Sequence, residues 1–238
     1  TTVLFLEFCP LFCQKFGFNK SLIFLQLLTP SLVFLGVILS TLHQSSLGTL
    51  LVLAPSKIHP FWYSKILPLL FFLSSFVLGI STINLTISFY KKHFSIETVE
   101  KLLRITKRLL IFSFSLYLIT RSFDLFLRNP IKKLFAFDKA SILLLTELLV
   151  FGFIPLILLS TKRDNHSKIF IFSNLFIIFG VVLNRINVSV FGFQISSGEK
   201  YFPSFFEILI SISLFSIAIF VFNNIKNHFP FFPKSQTL

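Results

Sequence analysis

Methionine is absent from the 238 residues, charged residues make up only 13% of them, and cysteine occurs twice. The low charge excludes a water-soluble fold, because a chain that is 54% apolar has too little polar surface to cover itself. Cys9 and Cys13 lie one helical turn apart without further cysteines, which favours incidental thiols over a metal site or redox couple. The missing methionine and the opening TTVLFLEF, half a span without a signal pattern, predict a fragment that lacks its N-terminus.

Long apolar runs dominate the rest of the chain. A helix needs about 20 apolar residues to cross about 30 Å of hydrocarbon, and no run alternates with the period of a barrel strand. The sequence therefore predicts an all-α, polytopic transmembrane helix bundle that forms a single membrane domain over 1–238. It has the end of one span and then six full spans, at 21–41, 66–89, 109–127, 140–160, 169–189 and 204–224.

The formal net charge is +13, and the Lys and Arg residues lie almost wholly in the connections between spans. This placement argues against nucleic acid as a partner and follows the positive-inside rule of membrane proteins. One set of alternate connections, with the C-terminal tail, carries 13 Lys and Arg, against seven in the other set. We therefore predict a multi-pass protein of the prokaryotic cytoplasmic (inner) membrane, with a cytoplasmic C-terminus and residues 42–65 outside.

The segment from His43 to Tyr63 is neither a tight turn nor an ordinary span. It begins with a small polar patch and ends in an aromatic cluster bracketed by prolines. The donors and acceptors of His43, Gln44 and Ser45 predict a quinone-binding site at the outer surface, although a helix-capping role of His43 is equally compatible. Trp62 and Tyr63 are predicted to be interfacial anchors.

Five ionisable residues fall inside the predicted spans, where each costs about 2.5 to 3.5 kcal/mol on insertion scales. All five lie in the outer halves of their spans, so the bundle is predicted to gather them into one buried polar layer. Buried carboxylates near one face predict proton transfer, and a purely structural role for each residue is the open alternative. The five residues are Arg121, Asp124, Glu147, Arg185 and Glu207.

Two further predictions concern the connections. The stretch 91–108 can form an amphipathic helix that rests on the lipid surface or docks a cytoplasmic partner. The five histidines all lie outside the mid-membrane region, whereas haem b needs axial ligands from within facing spans. The sequence therefore predicts no haem, and these histidines are His43, His59, His93, His166 and His228.

The stretches TLHQSSLGTLLVLAPSKIHPFWYSKILPLLFFLSSFVLG and VVLNRINVSVFGFQISSGEKYFPSFFEI resemble two signature stretches of the polysulfide-reductase NrfD family of membrane subunits. Within that family the resemblance is to the HybB type, the integral membrane (so-called cytochrome b) subunits of periplasm-facing nickel–iron hydrogenases. It covers essentially the whole chain. Because such subunits have about ten spans, it implies a C-terminal portion from which about four N-terminal helices, and part of the quinone pocket, are missing.

The resemblance implies a non-catalytic, haem-free anchor in the lipid bilayer. Such an anchor passes electrons between a periplasmic iron–sulfur subunit and menaquinone, with the large and small subunits of a nickel–iron hydrogenase as partners. It also places His43 and the HQSSLG segment near the quinone, and leaves Asn184, Asn187 and Glu199 without assigned roles. The alternatives are the anchor of a molybdoenzyme or other quinone-linked complex and, in a different class, an ion-coupled secondary transporter.

Overall fold

The computed structural model describes residues 2–91, 95–128, 138–160, 168–198 and 203–228. Within these ranges every regular element is helical. Two π-helical turns, Leu148–Phe153 and Asn187–Phe191, join α5 to α6 and α7 to α8. The α-helices are α1 Thr2–Phe16, α2 Asn19–Val52, α3 Leu67–Tyr90, α4 Ile96–Leu127, α5 Lys139–Glu147, α6 Ile154–Ser160, α7 Lys168–Ile186, α8 Gly192–Ser197 and α9 Phe205–His228.

Six helical stretches in the described ranges are long and apolar enough to cross a membrane, which confirms the predicted all-α bundle of six spans. The chain is therefore a multi-pass membrane protein. The stretches are Lys20–Val52, Leu67–Tyr90, Ile96–Leu127, Lys139–Ser160, Lys168–Ser196 and Phe205–Ile225.

Helix α2 continues well beyond the predicted span end at residue 41. Its last turns pack on the start of α3, where a Cβ atom on Gly48 would lie 2.8 Å from Cα of Pro68. Glycine therefore allows the two backbones to approach closely. As a result His43, Gln44 and Ser45 lie inside a helix, and only residues 53–66 form the non-helical connection that was predicted to begin at residue 42.

Helix α4 also differs from its prediction. The basic stretch 91–108 does not form a separate surface helix in its described part, because a single helix runs from Ile96 to Leu127. Val99 and Leu103 are buried in the bundle core. Ile96, at 78% exposed, and Leu102, at 41%, point away from the core. The apolar residues of this stretch therefore divide between the bundle core and the outward-facing surface of α4.

The chain divides into two compact units, Thr41–Lys200 and Thr1–Ser40 with Tyr201–Leu238. In the first unit α3 packs against α4 and α7, and α7 packs against α6 and the first π-helical turn. Residues 53–66 lie beside the start of α3, the end of α4, the start of α5 and the end of α7. We call this the Trp62 end, and we call the opposite end, where α7 begins, the Lys168 end.

The first π-helical turn lies where α5–α6 crosses α7. A Cβ atom on Gly180 would lie 2.6 Å from Cβ of Phe151, so the two backbones meet at this point. The Phe151 ring packs on Tyr117 and Phe114 of α4, with centroid distances of 4.8 and 5.9 Å. The extra residue of a π-helical turn thus directs Phe151 into the core.

The second unit comprises α1, the first part of α2, and α9. The Glu7 side chain of α1 approaches Gly36 of α2, where an added Cβ would lie 2.9 Å from Oε1. Helix α9 is apolar, and its residues from Phe205 to Asn224 are exposed within the chain. An apolar helix of this kind faces lipid or another protein surface.

Candidate functional site

Glu147, at the end of α5, is the centre of a buried hydrogen-bond network at the Trp62 end and is 2% exposed. Its Oε1 atom accepts hydrogen bonds from Asn184 Nδ2 at 2.8 Å and from Arg121 Nη2 at 3.4 Å. Its Oε2 atom accepts from Trp62 Nε1 at 2.9 Å and from Asn187 Nδ2 at 3.0 Å. Four donors therefore replace water around this carboxylate.

Arg121 lies between two carboxylates. It pairs with Glu147 and also with Asp124, whose Oδ2 atom lies 3.7 Å from Nη1. Asp124 is buried as well, and it accepts hydrogen bonds from the Ser64 hydroxyl and from the Arg128 guanidinium. The charges thus alternate in sign along the series Arg128, Asp124, Arg121 and Glu147.

Arg128 joins this network to the non-helical connection 53–66. Its Nη1 atom donates to the carbonyl oxygens of Pro60 at 2.8 Å, Phe61 at 3.3 Å and Tyr63. Burial lowers the pKa of Arg128, and the negative charge of Asp124 opposes that shift. An arginine nevertheless stays charged, so it satisfies three carbonyls that would otherwise lose water.

Arg185, near the end of α7, extends the network toward α3. Its Nη2 atom donates to Ser74 Oγ at 2.8 Å and to the carbonyl oxygen of Phe71 at 3.1 Å. The guanidinium carbon lies 3.4 Å from the centroid of the Phe71 ring, in a cation–π contact. Nη1 donates to Asn184 Oδ1 at 3.4 Å, and Asn184 in turn donates to Glu147.

Four of the five predicted ionisable residues therefore belong to one network. Arg121, Asp124 and Glu147 meet directly, and Arg185 joins them through an asparagine. Glu207 is exposed in the first turn of α9, in the other unit, and its Oε1 atom accepts from the Ser204 hydroxyl at 3.2 Å. Its part in proton transfer stays a prediction.

The predicted quinone residues lie on the last third of α2. His43 is exposed, and Gln44 and Ser45 are half-buried. Ser46 and Thr49 turn their hydroxyls back to carbonyls of the same helix, at 2.7 and 3.2 Å. An imidazole, an amide and a hydroxyl thus lie on consecutive positions, and their role toward a quinone stays a prediction.

Several members of the network were not predicted from the sequence. Trp62 is fully buried on Glu147, so the prediction that it is an interfacial anchor is wrong. Arg128 was counted with a connection, although its spacing of four from Asp124 and seven from Arg121 already places the three on one helical face. Ser64, Asn184 and Asn187 carry no charge. The cost of placing a charge in the membrane therefore did not identify them as candidates.

A cavity of about 760 Å³ lies at the Trp62 end between the start of α5 and α8. Asp138 caps α5, and hydrogen bonds from the hydroxyl and backbone N–H of Ser141 lower the pKa of Asp138. Gln194 is one of the lining residues, and its buried Nε2 atom has no hydrogen-bond partner in the described part of the chain. Leu143, another lining residue, precedes Glu147 by one helical turn. The volume falls within the range of small-molecule sites, about 300 to 1,000 Å³.

No protein-family model matches the chain, and no solved structure matches it. It is 34% identical over 239 aligned positions, 96% of its own length, to a protein of Nitratidesulfovibrio vulgaris whose name states no activity. It is 29% identical over 221 positions, 91% of its length, to the probable Ni/Fe-hydrogenase 2 b-type cytochrome subunit of Escherichia coli. The chain spans 61% and 56% of the lengths of these two relatives.

The name of the Escherichia coli relative overturns one expectation. A b-type cytochrome subunit holds haem, so the prediction that no haem is present is wrong. That prediction counted histidines in this chain alone, which spans 56% of the relative. Among the described residues, His43 is exposed and His59 lies outside the helices, so these two do not form an axial pair inside the bundle.

Proposed function

We propose that this chain is an NrfD-family membrane subunit of a respiratory hydrogenase complex. It anchors the complex in the inner membrane, with its C-terminus in the cytoplasm, and passes electrons between a periplasmic iron–sulfur subunit and menaquinone. Its partners are the large and small subunits of a nickel–iron hydrogenase. Six spans and the name of the Escherichia coli relative support the membrane-subunit part of this proposal. The Glu147 network is the observation that carries the quinone-linked part.

The network suits proton delivery to a quinone. Reduction of menaquinone to menaquinol takes up two electrons and two protons, and the protons must arrive through the protein when the head group is shielded from water. Asp124 and Glu147 share Arg121. When one carboxylate takes up a proton, the Arg121 guanidinium can still pair with the other. The pair can hold a proton without leaving an unpaired buried charge.

The proposed head-group site is the polar patch on α2. His43 and Gln44 each offer a hydrogen-bond donor to a quinone carbonyl, and the Ser45 hydroxyl adds a third. The cavity lined in part by Gln194, whose Nε2 donor has no partner in the described ranges, is the second candidate place for a quinone carbonyl oxygen. Variants at the two places separate these assignments.

The first experiment compares two electron acceptors in the purified full-length complex. Glu147→Gln is expected to lower hydrogen-driven quinone reduction about a hundredfold, because a general acid–base group is lost. Reduction of a viologen dye, which takes electrons before they reach the membrane subunit, should not change. Glu100→Gln, at an exposed position of α4, is the matched control. If Glu147→Gln and Asp124→Asn both keep full quinone turnover and proton coupling, the proton role of the network is excluded.

The second experiment locates the quinone. His43→Ala should raise KM for the quinone about tenfold through loss of one hydrogen bond, whereas Gln194→Leu and the exposed control Thr49→Val should not. If only Gln194→Leu raises the KM for the quinone, the head group binds in the cavity and not at the patch on α2. Metal and haem analysis of the same preparation tests whether the nickel–iron and iron–sulfur subunits are present. Purification of the chain without an iron–sulfur protein would contradict the anchor function.

A further inference from the structure

A second cluster of buried polar side chains lies toward the Lys168 end, away from the Glu147 network. Ser81 and Asn84 of α3 and Ser173 and Asn174 of α7 belong to it, and all four are 0% exposed. Asn84 Nδ2 donates to Asn174 Oδ1 at 3.1 Å. Asn174 Nδ2 and the Ser173 hydroxyl both donate to the carbonyl oxygen of Phe170, at 2.7 and 2.9 Å. The two helices are thus joined by amides inside an otherwise apolar bundle.

Two atoms of this cluster lack protein partners. In the described part of the chain neither Ser81 Oγ nor Asn84 Oδ1 has a hydrogen-bond partner, although both atoms are fully buried. A buried polar group without a partner costs about 1 to 3 kcal/mol. Residues three apart on a helix have Cβ atoms about 5 to 6 Å apart, so one small molecule can reach both. It must donate to an amide oxygen and bond a hydroxyl, which is the chemistry of water.

The cluster lies close to the Lys168 end. Asn174 is six residues from the start of α7 and Asn84 is six from the end of α3, which places each about 9 Å from that end. Ser88, half-buried one turn further along α3, donates to the carbonyl oxygen of Asn84 at 2.7 Å. Polar atoms therefore continue from the cluster toward the end of the bundle.

The same face of α3 leads in the other direction to the Glu147 network. Ser74 lies seven residues before Ser81, about 10 Å away along the helix, and it accepts the hydrogen bond from Arg185. Val77 lies between these two serines and is fully buried. The polar face is thus interrupted once, by about two turns of apolar packing.

We propose that Ser81, Asn84 and Asn174 hold water that enters from the Lys168 end, and that this hydrated site is an inlet for protons on their way to Glu147. A proton that enters at this water must still cross the apolar packing around Val77 before it reaches a carboxylate of the network and is taken up by the reduced quinone. The use of the proton rests on the proposed function. The water site itself does not.

The first test is cysteine labelling of the full-length chain in membrane vesicles, with Cys9 and Cys13 replaced by serine. A charged methanethiosulfonate reagent reacts with the thiolate, which forms only where water reaches the sulfur. Ser81→Cys is nearly isosteric and should be labelled when the reagent is on the Lys168 side. Val77→Cys, equally buried and four residues away, should not be labelled. Adding Asn84→Leu to Ser81→Cys should abolish the labelling.

Equal labelling of the two cysteines, or none at Ser81→Cys, would overturn the water site. If Ser81→Cys does not assemble, Asn174→Cys takes its place with the same two expectations. Labelling that survives Asn84→Leu would also count against the site, because the water would then not depend on the amide. Labelling from the Trp62 side alone would reverse the direction of entry and so refute the inlet.

The second test measures proton uptake by the full complex in liposomes during hydrogen-driven quinone reduction. Asn84→Leu should remove most of the uptake from the Lys168 side, while the exposed control Thr86→Val on the same helix should keep it. Unchanged uptake in Asn84→Leu overturns the inlet. If the unaltered complex reduces no quinone, the proposed function fails and the inlet to Glu147 with it. The labelling result then decides the water site separately.

Discussion

At the scale of single residues, Glu147 illustrates how a membrane bundle stabilises an internal carboxylate. A lone charge there costs about 2.5 to 3.5 kcal/mol on insertion scales. One arginine, two asparagines and one indole N–H share its two oxygen atoms. Each donor comes from a different part of the chain except for the asparagine pair near the end of α7. The carboxylate therefore fixes the relative positions of the segments that surround it.

Trp62→Phe tests this positioning role. The change keeps an aromatic ring in the buried site but removes the Nε1 donor that lies 2.9 Å from Glu147. Loss of a hydrogen bond to a charged group should lower the free energy of unfolding by about 1.5 to 3 kcal/mol, measured by thermal unfolding in detergent. Tyr63→Phe is the control, since its hydroxyl makes only a 3.5 Å contact with the carbonyl oxygen of Val52. Equal Tm values for both variants would show that the indole acts only by packing.

At the scale of helices, Gly180 and Gly79 form a natural pair for comparison. Gly180→Ala would bring a Cβ atom within 2.6 Å of Cβ of Phe151, so the π-helical turn would have to move. We expect a loss of about 1 to 3 kcal/mol from overpacking. Gly79 has no atom within 4 Å of an added Cβ, and Gly79→Ala should stabilise α3 by up to about 1 kcal/mol. Thermal unfolding of the two variants should shift in opposite directions, and a common direction would contradict the close crossing.

The helices also show what a sequence can and cannot predict here. Apolar length alone was enough to predict six spans, because lipid requires it. The continuation of α2 to Val52 was not predictable, since it depends on a contact between Gly48 and Pro68 in the folded bundle. The burial of Trp62 was missed for the same reason: its aromatic character fits an interface, and only the position of Glu147 explains the buried site. The π-helical turns have no local sequence signature of their own.

At the scale of the whole molecule, two buried polar clusters lie toward opposite ends of the α3–α7 pair, with apolar packing between them. The Glu147 network carries five charges at the Trp62 end, whereas the Asn84–Asn174 cluster is neutral. The buried charges of the described residues therefore lie at the end where residues 53–66 cover the bundle. Such an arrangement keeps the buried ionic groups at one end of the α3–α7 pair and neutral hydrogen-bonding groups toward the other.

Double-mutant cycles test whether the charges at the Trp62 end act as one unit. Arg121→Gln and Glu147→Gln alter groups in direct contact, so their effects on unfolding should couple by about 0.5 to 3 kcal/mol. Arg128→Gln and Arg185→Gln alter the two ends of the network, which share no partner. Their effects should add to within about 0.5 kcal/mol. Strong coupling of the distant pair would instead show a network that breaks as a whole, and then any single change would disturb both quinone turnover and the connection at residues 53–66.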